Sequence, residues 1–253
     1  MPVTPTASLA TLSVVVPARD EERSIEWAVR ALVDGLQGLV ALGRLAGGEV
    51  VVVDHHSVDG TAAIVAGIGA ELAAGPVHAR VLAAPDPGGF GVALRSGLAA
   101  ATGDFVLYTD ADLPFDPDDI GRLLRAADRY EADVVCGYRF DRTVEGTRRA
   151  IQSYAYNVLV RVVLPIHVRD VNFACKLFRR SVVERLVAEL ESDGPFIDAE
   201  VVARCARDGF RTVQVGVDYF PRFETASTLS GVDAIADILR DLRRLRRGLR
   251  SKR

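Results

Sequence analysis

Residues 105–117 read FVLYTDADLPFDP, an apolar run that ends on two carboxylates, Asp110 and Asp112, separated by one alanine. The run predicts a buried strand over 105–109. Side chains two residues apart in an extended segment point the same way, so these carboxylates would repel each other unless a cation lay between them. Mg²⁺ and Mn²⁺ prefer carboxylate oxygens and commonly join one or two of them to substrate phosphates. The stretch therefore predicts a strand that ends at a divalent metal site.

A capped turn is the alternative interpretation of these acids. Asp112 or Asp116 could accept hydrogen bonds from backbone N–H groups at the start of a helix after Pro117. The placement of the pair at a strand end, together with three other loops expected at strand ends, favours the metal.

Three further apolar runs precede this strand and alternate with segments of helical spacing. The predicted strands are 12–16, 49–53 and 77–83, and the predicted helices are 25–42, with Ser24 as N-cap, 61–68 and 91–101. This alternation predicts βαβ units, and hence an α/β fold with a mostly parallel sheet flanked by helices. Ligands bind at the carboxyl ends of such strands, where the loops here read PARDEE, DHHSVDGT, APDPGGFG and DADLPFDP.

The second half of the chain continues with mixed elements. We predict helices over 117–129, from 147 to about 164, after Ser181 and from Asp198, and strands over 133–137 and 212–219. No repeat or low-complexity linker interrupts the chain. The simplest organisation is one domain over 12–222 followed by a basic helical tail over 223–253.

Charge and composition exclude several classes of protein. The formal net charge of -3 argues against a surface that binds nucleic acid, and the three cysteines lack the spacing of a zinc site or a disulfide framework. Neither a signal peptide nor an apolar run of the roughly 18 residues needed to span a bilayer is present. We therefore expect a cytoplasmic protein, at most peripheral at the inner face of a membrane.

The tail is the one strongly basic segment. Residues 239–253 read LRDLRRLRRGLRSKR, in which leucines recur at helical spacing among arginines. Such an amphipathic helix could lie on an anionic membrane surface or pack its apolar face on the domain.

Other candidate residues each have two interpretations. The glycines of GGFGVALRSG, residues 88–97, could let backbone donors approach a phosphate or only permit tight packing. Arginine binds phosphate through its planar fork, so Arg139, Arg148 and Arg149 are candidate phosphate ligands, unless they form a solvated face with Asp141 and Glu145.

The acidic pair Asp198 and Glu200 and the adjacent histidines His55 and His56 are also candidates. The two acids could cap a helix, or a partly buried carboxylate could orient an acceptor or act as a catalytic base. The histidines make a poor metal chelate, because neighbouring side chains in an extended segment point apart.

Taken in order, these segments resemble glycosyltransferase family 2, and specifically its polyprenyl-phosphate sugar synthases such as dolichol-phosphate mannose synthase. The matching segments are VVVPARDEE, VVVDHHSVDGT, GGFGVALRSG, YTDADLPFDP, GYRF and VRDVNFACKLFRRS, which span most of residues 12–181. The resemblance implies a GT-A fold, a nucleotide-diphosphate sugar donor, a polyprenyl-phosphate acceptor, and Mg²⁺ or Mn²⁺ bound by Asp110 and Asp112.

The resemblance also implies roles for individual residues. The donor nucleotide would be bound by Pro17, Arg19, Glu21, Asp54 and Asp110, with Arg222 near the diphosphate and Asp112 on the metal. The acceptor phosphate would be bound by Arg139 with Arg148 or Arg149, and Asp170 and Lys176 would support the structure near the acceptor.

This sequence departs from the family pattern at four positions. The family usually has Asp at His55, a small residue at His56, Asn at Asp20 and often Gln at Pro114. These departures leave open the nucleobase and any further contact with the sugar or the metal.

The expected reaction is an inverting transfer. A lipid phosphate is already anionic near neutral pH, so it would need no strong general base. The alternatives are transfer to a soluble hydroxyl acceptor, with Asp198 or Glu200 as base, and a protein that binds nucleotide sugars without catalysis.

Overall fold

The structure is a computed structural model that describes residues 9–140, 147–164, 166–219 and 242–249. The strands are β1 (Thr11–Ala18), β2 (Gly47–Asp54), β3 (Val77–Ala83), β4 (Phe105–Thr109), β5 (Val134–Arg139), β6 (Cys175–Arg179) and β7 (Thr212–Val217). The helices are α1 (Ile25–Ala41), α2 (Thr61–Glu71), α3 (Phe90–Ala100), α4 (Ile120–Arg129), α5 (Thr147–Val163), α6 (Arg180–Val187) and α7 (Ile197–Arg207). A 3₁₀ turn (Pro117–Asp119) precedes α4, and residues 242–249 are also helical.

The seven strands form one sheet in the order β3-β2-β1-β4-β6-β5-β7. β6 is antiparallel to both of its neighbours, and every other pairing in the sheet is parallel. The predicted α/β fold with a mostly parallel sheet is therefore confirmed. After β3 the chain returns to the other side of β1, so a topological switch point lies between β1 and β4, where open sheets of this kind bind ligands.

Both faces of the sheet are covered, which explains the uninterrupted apolar runs of its strands. Val14 and Val16 pack into one buried cluster with α1 and α4, whereas Val15 packs into a second cluster with α3, α6 and α7. Successive side chains of β1 thus point to opposite faces of the sheet, so this one strand contributes to both buried clusters.

The strand β6 was not predicted from the sequence. Its five residues read CKLFR, and Lys176 interrupts the apolar run at a position that pairs with Tyr108 on β4 and Cys136 on β5. A lysine in the middle of a sheet is rare unless a carboxylate lies beside it. That partner is distant in sequence, so no local pattern indicates the strand.

The entry into α1 differs from the prediction in one detail. Ser24 directly precedes the helix, but its hydroxyl donates to Glu21 Oε2 over 2.7 Å and caps no backbone N–H group. The helix begins where predicted, without the predicted capping bond.

The described part of the tail packs on the domain. Leu242, Leu245 and Leu249 are buried in the second cluster, and the arginines between them are exposed. Within residues 242–249 the apolar face of the tail therefore packs on the domain, which is one of the two alternatives that the sequence left open. The predicted boundary at residue 222 lies outside the described residues and stays a prediction.

No helix among the described residues is both long enough and apolar enough to cross a bilayer.

Candidate active site

The carboxyl ends of β1 to β4 lie along one edge of the sheet. His55 N donates to Ala18 O over 2.8 Å, and Ala84 N donates to Asp54 O over 2.9 Å, so the first residues beyond the strands remain in register. The four loops that the sequence analysis placed at strand ends are therefore neighbours.

The acidic pair follows β4 at this edge. Asp110 and Asp112 are half-buried and alternate with Ala111 and Leu113, which are buried. Leu113 N donates to Asp110 O over 3.1 Å, and Leu113 has a φ of 45°, an unusual value for a branched residue. Strained backbone of this kind is found where the surrounding structure fixes functional groups.

The cap of the following helical turn is Asp116. Its Oδ1 accepts from Asp118 N over 2.9 Å, and Pro117 occupies the first position of the turn. The capping role that the sequence assigned to either Asp112 or Asp116 therefore belongs to Asp116.

The donor set at Asp110 and Asp112 suits a hard divalent ion. The two side chains offer only carboxylate oxygens, which Mg²⁺ and Mn²⁺ prefer. Within the described ranges, no group of three or more His, Cys, Asp or Glu side chains could hold a metal by itself. An ion at this position would take further ligands from substrate phosphates and water, as Mg²⁺ usually does.

The loop after β1 is tied to the loop after β2. Asp20 N donates to Ser57 Oγ over 3.0 Å, and Asp20 Oδ1 accepts from Val58 N over 2.8 Å. Asp20 has a φ of 53°, a left-handed conformation that Asp and Asn tolerate better than other residues with a side chain. The departure from the Asn that the family usually has at this position is thus structurally conservative.

Four residues predicted to bind the nucleoside lie at these two strand ends. Pro17 lies within β1 and is in register with Val53. Arg19 is exposed, and its Nε lies 3.6 Å from Asp20 Oδ2. Glu21 accepts from the Ser24 hydroxyl, and its N–H donates to Thr61 Oγ1 over 2.9 Å. Asp54, the fourth, ends β2 opposite Ala18.

The glycine-rich segment serves close packing. Gly91 N donates to Asp193 O over 2.8 Å, and a Cβ at Gly89 or Gly91 would collide with the backbone oxygen of Asp193 or Ser192. Arg95 holds the same segment through Asp193 Oδ1 over 2.7 Å. Of the two interpretations given to these glycines, the contacts support tight packing.

Arg139 is held by a buried acid. Its Nε and Nη2 donate to the two oxygens of Asp170 over 2.7 and 2.9 Å, and the guanidinium lies 5.6 Å from the ring centroid of Phe173 and 5.3 Å from that of Tyr219. The Arg139 side chain is only 12% exposed. The planar group is therefore fixed in orientation at the end of β5.

The other predicted arginines cannot be placed in the same way. Arg148 and Arg149 lie in the first turn of α5, and their side chains are outside the described part of the structure. Arg222, Asp141 and Glu145 also lie outside the described residues.

Asp198 is the counter-ion of Lys176. The Lys176 amine donates to Asp198 Oδ1 over 2.7 Å and to Phe173 O over 2.8 Å, and it lies 5.4 Å from the Tyr108 ring centroid. Burial acts to lower the pKa of Lys176, but the charge of Asp198, its hydrogen bond with Lys176 and the nearby Cys136 and Asp170 together outweigh burial, so this pKa is above its ordinary value. Lys176 and Asp198 are 1% and 6% exposed. The sequence analysis missed this pair, although a lysine within an apolar run is itself a signal for a buried acid.

Glu200 anchors a loop. Its two oxygens accept from Glu191 N over 3.0 Å and Ser192 N over 2.8 Å, and Arg204 Nη2 lies 2.6 Å from Oε1. The side chain is 2% exposed. Both candidate bases are therefore engaged in buried structural contacts.

Comparisons with known proteins agree with this architecture. The chain matches the model of glycosyl transferase family 2 over residues 13–187. Glycosyltransferase AglD from Haloferax volcanii is 34% identical over 241 residues, which are 94% of this chain and 37% of that protein. The chain thus spans little more than a third of this relative's length.

Two mycobacterial proteins are similar over most of their lengths. An uncharacterised glycosyltransferase from Mycobacterium tuberculosis (strain H37Rv) is 30% identical over 226 residues, covering 87% of this chain and 90% of the relative. The crystal structure of glucosyl-3-phosphoglycerate synthase from the same species, in complex with Mn²⁺ and UDP-glucose, has a TM-score of 0.64 and 23% identity over 91% of this chain and 76% of that chain. At that identity the structural likeness shows a shared fold. On the match to the family model and the sequence relatives, the chain belongs to glycosyl transferase family 2.

Proposed function

We propose that this protein transfers a sugar from a nucleotide-diphosphate donor to a polyprenyl phosphate, with inversion at the anomeric carbon. The donor would bind at the switch point between β1 and β4, with its nucleoside against Pro17, Arg19, Glu21 and Asp54. Asp110 and Asp112 would hold Mg²⁺ or Mn²⁺ beside the diphosphate.

The contacts of the two candidate bases, Asp198 and Glu200, are the observation that favours a phosphate acceptor over a hydroxyl acceptor. Asp198 forms a buried ion pair with Lys176. Glu200 accepts hydrogen bonds from two backbone N–H groups and forms an ion pair with Arg204. A hydroxyl acceptor needs a positioned base to remove its proton, whereas a phosphate acceptor is already anionic. The contacts of Asp198 and Glu200 therefore favour the phosphate.

The metal and the arginines would have different tasks. When bound, the divalent ion would neutralise the charge that develops on the diphosphate leaving group. Arg139, whose orientation Asp170 fixes, would position the acceptor phosphate together with Arg148 or Arg149. The attacking phosphate oxygen would then approach the sugar from the face opposite the leaving group.

The comparisons support the donor class. The solved glucosyl-3-phosphoglycerate synthase is in complex with Mn²⁺ and UDP-glucose, and its fold is shared with this chain. The polyprenyl acceptor is supported by the sequence motifs over residues 12–181 and by the engaged bases.

A transfer assay with matched acceptors tests the proposal. The protein is incubated with Mn²⁺ and a panel of UDP-, GDP-, CDP- and ADP-sugars, in the presence of either a polyprenyl phosphate or the corresponding polyprenol. We expect sugar on the phosphate and none on the alcohol.

Two outcomes would contradict it. Transfer to the alcohol or to soluble hydroxyl compounds would favour the hydroxyl-acceptor alternative. Binding of a nucleotide sugar with neither transfer nor hydrolysis above background would favour a binding protein without catalysis.

A further inference from the structure

Two adjacent side chains at the end of β2 carry buried polar atoms that have no hydrogen-bond partner among the described residues. These atoms are Oδ1 of Asp54 and Nδ1 of His55. A buried polar group left unpaired is unfavourable, so such groups are rare unless a ligand satisfies them. The proposed donor would bind at this same edge of the sheet.

The His55 ring is fixed by close packing. A Cβ on Gly88 would lie 2.5 Å from Cε1 and 2.6 Å from Nδ1 of His55, so only a glycine leaves room for the ring in this position. The neighbouring His56 has a different role, because its Nε2 lies 3.1 Å from Asp86 Oδ1 and its side chain is exposed. The two rings meet edge to face, with centroids 5.5 Å apart.

The surroundings of His55 favour its neutral form. Burial lowers its pKa, the charges of Arg19 and His56 lower it further, and Asp54 opposes them with a smaller effect. A neutral imidazole offers one donor and one acceptor nitrogen, whereas a carboxylate such as that of Asp54 only accepts. The pair can therefore match an edge that presents a hydrogen-bond donor beside a second polar atom, as nucleobases do.

A metal role and a purely structural role fit these observations less well. In the described ranges, no three His, Cys, Asp or Glu side chains form a group that could hold a metal, and this includes Asp54, His55 and His56. A histidine that only stabilised the fold would satisfy its buried nitrogen within the protein, as most buried polar groups do.

We propose that His55 is a specificity residue that hydrogen-bonds the nucleobase of the donor through Nδ1, alongside Oδ1 of Asp54. This inference rests on the proposed function, since it requires a nucleotide donor at this edge. It assigns a role to a histidine at a position where the family usually has an acid, and so gives this chain its own means of base discrimination.

Calorimetric binding of UDP, GDP, CDP, ADP and pyrophosphate, each with Mn²⁺, tests the proposal. The variant His55→Phe keeps an aromatic ring against Gly88 and removes the hydrogen bond. We expect the affinity for the preferred nucleotide to fall roughly tenfold, as loss of one hydrogen bond implies, while the affinity for pyrophosphate stays unchanged. The differences in affinity among the four nucleotides should also be smaller in this variant than in the wild type.

Two further variants complete the design. His78→Phe makes the same change at an exposed position of β3 and should bind all five ligands like the wild type. Gly88→Ala adds a Cβ that displaces the His55 ring, and the exposed His56 ring with it, and should weaken binding of the preferred nucleotide as His55→Phe does.

The outcomes separate this inference from the proposed function. Equal nucleotide affinities in the wild type and His55→Phe would overturn the role of His55 and leave the proposed function standing. A wild-type protein that binds none of the nucleotides would overturn both.

Discussion

Single residues in this protein show how a buried charge determines its surroundings. Lys176 lies in the centre of the sheet, and its charge is tolerated because Asp198 and the carbonyl oxygen of Phe173 accept hydrogen bonds from its amine. Arg139 and Asp170 form a second such pair nearby. These two pairs, one fully and one largely buried, thus connect β6 and β5 to the segments that follow them.

Breaking the first pair should be costly. The variant Lys176→Met leaves Asp198 buried without a counter-ion, so we expect a loss of about 3–5 kcal/mol in the free energy of unfolding, measured by urea denaturation. The double variant Lys176→Met/Asp198→Asn should recover much of this loss, and it should still transfer sugar if Asp198 is only a counter-ion. A single variant of wild-type stability, or a stable double variant without activity, would contradict this role for Asp198.

At the scale of elements, the sequence predicted what local patterns encode. The strands β1 to β5 are apolar runs closed by turn residues, and all five lie within about two residues of their predicted ends. β6 was missed because its lysine is explained only by an acid 22 residues away. The predicted helix 117–129 begins instead as a 3₁₀ turn, since Asp116 and Pro117 favour a tight start.

The candidate site follows the same division. The positions of Asp110, Asp112 and the loops near them at strand ends were predicted from sequence because strand ends and paired acids are local features. The engagement of Asp198, Glu200 and Arg139 could not be found in this way, since each contacts a side chain or loop that only the folded chain brings close.

The helix over 242–249 supports a prediction about membranes. Its leucines are buried, so binding of this helix to an anionic membrane would depend on its exposed arginines alone. We expect Arg243→Gln/Arg246→Gln to weaken sedimentation with phosphatidylglycerol vesicles by roughly 30-fold, at about 1 kcal/mol per arginine. Salt near 1 M should abolish binding, because it screens charges beyond about 3 Å.

The matched control lies on α4. Arg125 and Arg129 are also exposed, and Arg125→Gln/Arg129→Gln should leave vesicle binding unchanged. Binding that survives high salt would indicate insertion of apolar side chains and contradict the packed position of the leucines.

At the scale of the whole molecule, the sheet order decides where function can lie. The reversal between β1 and β4 brings PARDEE, DHHSVDGT and DADLPFDP to one edge, although almost 100 residues separate the first from the last. The antiparallel β6 then places the Lys176 pair beside β4. The fold therefore brings a strained acidic turn, the loops proposed to bind the nucleoside and a fixed arginine together on one sheet.

The central claim is that Asp112 holds a divalent ion for sugar transfer, and a metal titration tests it most directly. Transfer to polyprenyl phosphate is measured over a range of Mn²⁺ concentrations for Asp112→Asn and for Asp118→Asn, an exposed acid of the adjacent 3₁₀ turn. We predict that Asp112→Asn keeps the wild-type fold and loses Mn²⁺-dependent turnover, while Asp118→Asn keeps both. Undiminished Mn²⁺-dependent transfer by Asp112→Asn would contradict the account.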